Sequence, residues 1–142
     1  MKEYEILEHR ADLKIRAFGK TKEELFSNML KGVISGLRPE ILNSEAETRN
    51  IEIKSPDLES LLVDFLNEVL SLTQVNKEIY TEIKFKKLND PSTSSGQAEL
   101  KGELMGRKVK RFGEDIKAVT YHELKIEQKK DKNWEATVLF DV

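Results

Sequence analysis

The chain has 142 residues, enough for one compact domain with its own core and short for two. Its 24 basic and 26 acidic residues leave a formal charge of −2, so no global field draws it onto nucleic acid or an anionic membrane. Cysteine is absent, which excludes a disulfide framework, a thiolate metal site and a thiol nucleophile.

The N-terminal region opens on a strand-like Tyr4-Glu-Ile-Leu7 without the basic-then-apolar layout of a secretory signal. No apolar run approaches the length of a membrane span, so the expectation is a cytoplasmic protein with no membrane partner. Residues 13–18 alternate, with Leu13, Ile15 and Ala17 on one face and Lys14 and Arg16 on the other, the pattern of a half-buried strand. Asp12 shares the parity of the polar face. Thr21-Lys-Glu-Glu24 has the spacing of a capping box and opens a helix whose stripe is Leu25, Phe26, Met29, Leu30, Val33, Ile34 and Leu37, closed by Pro39.

A strand is predicted over 47–54 through Ile51 and Ile53. Ser55 then suits a cap and Pro56 a first helical position for a second helix carrying Leu58, Leu61, Leu62, Phe65, Leu66, Val69 and Leu70. Further strand signals lie at Ile79, Thr81, Ile83 and Phe85, at 97–104, at 120–127 and at 133–141. Between them the segment from Asn89 to Gly96 is rich in serine and turn formers and reads as a hairpin loop. The order strand, helix, strand, helix, then mostly strands predicts a single α+β domain over residues 1–142, two layers, with a mixed sheet and two main helices packed on one of its faces.

In the final strand Trp134, Ala136, Val138 and Phe140 share one face, and Glu135, Thr137, Leu139 and Asp141 the other. Asp141 stands beside the α-carboxylate of Val142. If the two ends of the chain meet, Asp12, Asp141 and that carboxylate converge, and an all-oxygen anionic set suits a hard divalent cation such as calcium, magnesium or manganese. Two ordinary surface aspartates would carry the same sequence. His9 and His122 are the only histidines. His9, three residues before Asp12, is placed to orient a carboxylate. His122 has the parity of Leu124 and Ile126 and reads as partly buried at a strand end. Neither histidine has a serine at a readable spacing, so a nucleophilic triad is poorly supported. The run Arg107-Lys-Val-Lys-Arg111 before Phe112 suits phosphates or an acidic partner surface, or is simply solvated.

Three separated segments together are similar to the archease family. Tyr4-Glu-Ile-Leu-Glu-His-Arg-Ala-Asp-Leu-Lys-Ile-Arg-Ala-Phe-Gly19 resembles its N-terminal strand-turn-strand, with Arg10 where the family commonly carries threonine. Ile116-Lys-Ala-Val-Thr-Tyr-His122 resembles its Thr-Tyr-His signature, and the ending in Asp141-Val142 matches its aspartate followed by an aliphatic residue. The resemblance implies an activator, not an enzyme, that serves an RtcB-type RNA ligase in tRNA splicing and RNA repair. Such an activator promotes guanylylation of the ligase, allows repeated turnover and meets RNA only through the ligase. It also implies a metal site at Asp12, Asp141 and Val142, a functional lysine at Lys117, and roles in activation for the signature around His9 and His122. The competing readings are a stand-alone metal-dependent phosphoesterase built on Asp12, Asp141 and a histidine, which would act without a second protein, and a chaperone-like interaction module, which would not need the carboxylates.

Overall fold

A computed structural model describes residues 2–9, 12–90 and 96–142, with backbone alone at residues 8 and 9. Arg10, Ala11 and the serine-rich stretch 91–95 therefore lie outside the described residues, as does the side chain of His9. In chain order the elements are β1 (Tyr4–His9), β2 (Asp12–Gly19), α1 (Lys22–Leu37), β3 (Pro39–Ile41), β4 (Glu47–Ser55), α2 (Leu58–Asn76), β5 (Glu78–Asn89), β6 (Ala98–Phe112), β7 (Ala118–Gln128) and β8 (Trp134–Asp141).

Helix α1 starts where the capping box places it. Thr21 accepts from the Glu24 amide at 3.1 Å, while the Glu24 carboxylate reaches back to the Lys20 amide at 3.3 Å, one residue before the cap. It ends at Arg38, whose φ of 45° turns the chain into the left-handed region ahead of Pro39. The start of α2 corrects the sequence reading. Its cap is Asp57, which accepts from the Ser60 amide at 2.7 Å. Ser55 instead finishes β4, where its buried hydroxyl donates to Asp64 at 2.6 Å. Aspartate is as good a cap as serine, and Ser55 is already committed to pairing with Ala98 in the sheet.

The α+β class and the two main helices stand, but the strands divide between two sheets, and every described pairing is antiparallel. One sheet has the order β1-β2-β8-β7; in the other, β6 lies between β4 and β5, with β3 beside its far end. Each helix packs against strands of both sheets, so the helices bridge them rather than cover one face of a single sheet. One apolar cluster joins all these layers, with Phe26 of α1 meeting Phe65 of α2 at 5.8 Å between ring centroids. At roughly 1.5–3 kcal/mol for each fully buried large apolar side chain, this shared cluster dominates stability. Gly19 is required by the close approach of β2 to α1, because a Cβ there would meet the backbone nitrogen of Leu25.

Two strands run differently from their sequence signals. β6 continues to Phe112, so the basic run lies within a strand, with Val109 turned inward at 5% exposure. β7 pairs with β8 from Ala118 to Thr120 and again from Lys125, leaving Tyr121–Leu124 as an irregularity in which Glu123 has φ 58°. That break resets the parity, so His122 is exposed rather than partly buried.

Candidate carboxylate site

The register of β2 on β8 sets Asp12 directly opposite Asp141. In the same ladder Ile15 faces Val138 and Ala17 faces Ala136, all four buried, so the alternation of both strands turns Asp12 and Asp141 to the face away from the core. β7 lies on the other side of β8, with Ala118 opposite Asp141, and the Lys117 amide donates to the Asp141 carbonyl at 2.8 Å. Across β2, His9 pairs in register with Asp12. Residues separated by more than a hundred positions in sequence thus occupy one end of one sheet. His122 belongs to the irregular part of β7, and its amide donates to the Thr120 hydroxyl at 3.3 Å.

The surroundings of the pair are mixed in charge. Lys14, two residues along β2, pairs with Glu123 at 3.1 Å. A cavity of about 330 Å³ is lined by Asp12, Leu13, Ser35, Arg38, Glu114 and Val142, with Val142 37% exposed. Arg38 holds one rim of it, donating to the Gly113 carbonyl at 3.0 Å and lying 3.6 Å from the Glu114 carboxylate. Among the described residues no three His, Cys, Asp or Glu side chains cluster tightly enough to hold a metal ion. Asp12 and Asp141 nonetheless face each other at a solvent-facing sheet end, and oxygen donors of this kind would suit a hard cation that keeps water in the rest of its shell. The donor set fits calcium, magnesium or manganese and does not suit a soft metal.

Sequence reasoning missed the residue that fixes the third strand of the site. Asn67 of α2 accepts from the Val119 amide at 3.1 Å, satisfying a donor on the outer edge of β7. Lys117 is exposed, and its backbone is held between this bond and the one to Asp141. An exposed asparagine on a leucine-rich helix carries no signal for that role.

The basic run at 107–111 is largely neutralised within the fold. Arg107 donates to the Ser44 carbonyl at 3.0 Å, Lys108 lies 3.3 Å from Glu78, and Glu40 takes both Lys110, at 3.8 Å, and Arg111. Glu78 is itself unusual, fully buried and bonded by Arg49 at 3.1 and 3.2 Å and by the Tyr80 hydroxyl at 3.0 Å. Burial pushes its carboxyl up, but the hydrogen bonds from Arg49, Tyr80 and Lys108 outweigh that and hold it below its ordinary value.

With this geometry established, comparison with known proteins is direct. The archease protein family model matches residues 4–142. The chain belongs to the archease family. It is 39% identical to the archease of Methanosarcina barkeri, covering 99% of this chain and 97% of that one. It is 30% identical to the archease of Thermococcus kodakarensis over the full length of both. The solution structure of Methanobacterium thermoautotrophicum protein 1598 superposes with a TM-score of 0.77 at 31% identity, covering 100% of both chains. The crystal structure of a Thermotoga maritima protein, described as an archease and possible chaperone, gives 0.66 at 26% identity over 96% of this chain and 94% of that one. The two solved structures thus share this chain's fold. No helix among the described residues is long and apolar enough to cross a membrane.

Proposed function

We propose that this archease is a cytoplasmic protein activator of an RtcB-type RNA ligase, promoting guanylylation of the ligase and its repeated turnover in tRNA splicing and RNA repair. The observation that carries the reading is the register of Asp12 against Asp141 beside Val142, on a chain of this family. Asp12, Asp141 and Val142 would hold a divalent cation. When bound, that cation supplies positive charge for a nucleotide's phosphates or for a leaving pyrophosphate.

The residues of the chain do the rest by placement. The sheet sets the two aspartates opposite each other on one face, so a cation would meet both at once. Asp141 and Asn67 hold the backbone around Lys117 and thereby present its ammonium to a phosphate or to a carboxylate of the ligase. Among the described residues no nucleophile paired with a base accompanies these groups, which favours an accessory role over independent turnover. RNA is met through the ligase, since the paired basic run offers little free positive charge.

The test is RNA ligation under multiple-turnover conditions by an RtcB-type ligase, alone, with this protein, and with its Asp12→Ala variant. Stimulation by the wild type and none by a well-folded variant is the expected result. Equal stimulation by both would leave the carboxylates without a role and support the interaction-module reading. Phosphoester hydrolysis by the purified protein without a ligase would replace the proposal with the enzyme reading.

A further inference from the structure

Three cavities share lining residues, and the last of them is lined by Asp12 and Val142. The first, about 400 Å³, is lined by Gln74, Lys77, Lys110 and Phe112. The second, about 330 Å³, is lined by Leu37, Leu70, Gln74, Phe112, Glu114 and Ile116. The third, about 330 Å³, is the one that contains Asp12 and Val142. Gln74 and Phe112 belong to the first two and Glu114 to the last two, so the three lie next to one another in a row. Its floor is made where α1 and α2 end, and the segment after β6 is drawn across them by the Gly113 amide, which donates to the carbonyls of Leu37 at 3.0 Å and Arg38 at 2.8 Å.

Size and charge together define the occupant. Each cavity lies near the bottom of the roughly 300–1,000 Å³ range of small-molecule pockets, so the row suits successive side chains of an extended polypeptide better than one large cofactor. Lys77 and Lys110 mark one end, Leu37, Leu70, Phe112 and Ile116 give an apolar middle, and Glu114 and Asp115 stand on the side toward Asp12. A nucleic acid strand laid along this path would carry phosphates past those carboxylates, which charge repulsion opposes.

Resting on the activator reading, we propose that the groove docks an extended segment of the ligase. The segment places an acidic residue toward Lys77, an apolar side chain in the middle cavity and a basic residue toward Glu114 and Asp115. Docking in this direction brings the ligase to the sheet end that carries Asp12, which joins partner recognition to the carboxylate site. The basic residue then settles against Asp115, beside the Arg38–Glu114 pair.

The experiment measures binding of the ligase to the wild-type protein, to Gln74→Trp, which fills the groove from an exposed position, and to Asp115→Lys, which reverses a charge on its rim. Circular dichroism checks the fold, and terbium luminescence reads the carboxylate site independently. The expected result is a loss of ligase affinity of about tenfold or more in both variants, the scale of a disrupted central contact, with fold and terbium binding retained. Undiminished affinity of both variants, with the wild type binding well, would overturn the groove assignment and leave the activator reading intact. No binding by the wild type would overturn both. Binding of a single-stranded RNA oligonucleotide to the protein alone, strengthened by Asp115→Lys, would overturn the polypeptide occupant in favour of nucleic acid.

Discussion

Replacing Glu78 by glutamine tests the polar cluster that ties β4, β5 and β6 to the end of α2. The carboxylate has no exposure, and it receives Arg49 through two bonds, Lys108 at 3.3 Å and the Tyr80 hydroxyl at 3.0 Å. Removing one partner of a buried ion pair costs about 3–5 kcal/mol when the other charge is stranded. Here the side chains of Arg49 and Lys108 are 35% and 41% exposed, so both cations recover hydration, and glutamine keeps one acceptor. The expected loss is therefore about 2–3 kcal/mol, below that range, since water screens the part of the pair that reaches the surface. For a chain of this size it corresponds to a fall in Tm of roughly 4–12 °C.

The same group sets a pH dependence. Its folded value lies below the ordinary 4.5, so the folded state binds fewer protons than the unfolded one around that pH. The stability it contributes is present above about pH 4.5 and is lost as pH falls through the lower folded value. Urea unfolding at neutral pH and at successively lower pH measures both effects. The wild type should lose stability on acidification more steeply than Glu78→Gln, and the gap between them should narrow. A gap below about 1 kcal/mol at neutral pH, or parallel pH profiles, would refute the assignment of Glu78 as an ionised, paired group.

Three further outcomes follow from other parts of the fold. Asp57→Ala should cost about 1 kcal/mol in urea unfolding by removing the α2 cap, a role that the sequence reading gave to Ser55. Asn67→Leu should cost about 1–2 kcal/mol and reduce ligase stimulation through Lys117, while Asn67→Asp, which still accepts from Val119, should retain most of both; equal behaviour of the two would remove the positioning role. Asp141→Asn keeps the β2–β8 ladder but removes one anionic donor facing Asp12. Divalent-cation affinity, followed by terbium luminescence, should then fall about tenfold, or about 1.4 kcal/mol, with Tm little changed; retained affinity would mean that Asp141 is not a ligand.

Much of the site's framework was legible because two short strands alternate cleanly. The parity of 13–18 and of 134–141 is enough to place Asp12 and Asp141 on outward faces, as the buried Ile15, Ala17, Ala136, Val138 and Phe140 require. That these strands are neighbours depends on topology, which parity does not encode; only the family resemblance joined the two ends of the chain. Local irregularities defeated the rest. The break in β7 after Thr120 has no composition signal, and it turned His122 outward against its parity. Glu78 follows a helix in an ordinary polar context, so its burial becomes visible only once Arg49, Lys108 and Tyr80 are gathered around it from other strands. The division into two sheets was likewise hidden, because β4, β5 and β6 carry the same alternation whichever sheet they join.

The activator account is tested most directly by covalent nucleotide transfer to the ligase, measured without RNA. An RtcB-type ligase is incubated with radiolabelled GTP and a divalent cation, alone or with the wild-type protein, Asp141→Ala or Lys117→Ala, and the labelled ligase is quantified. The account predicts that the wild type raises the rate of labelling, that Asp141→Ala abolishes the gain and that Lys117→Ala weakens it. A wild-type protein that leaves labelling unchanged on a competent ligase would contradict it.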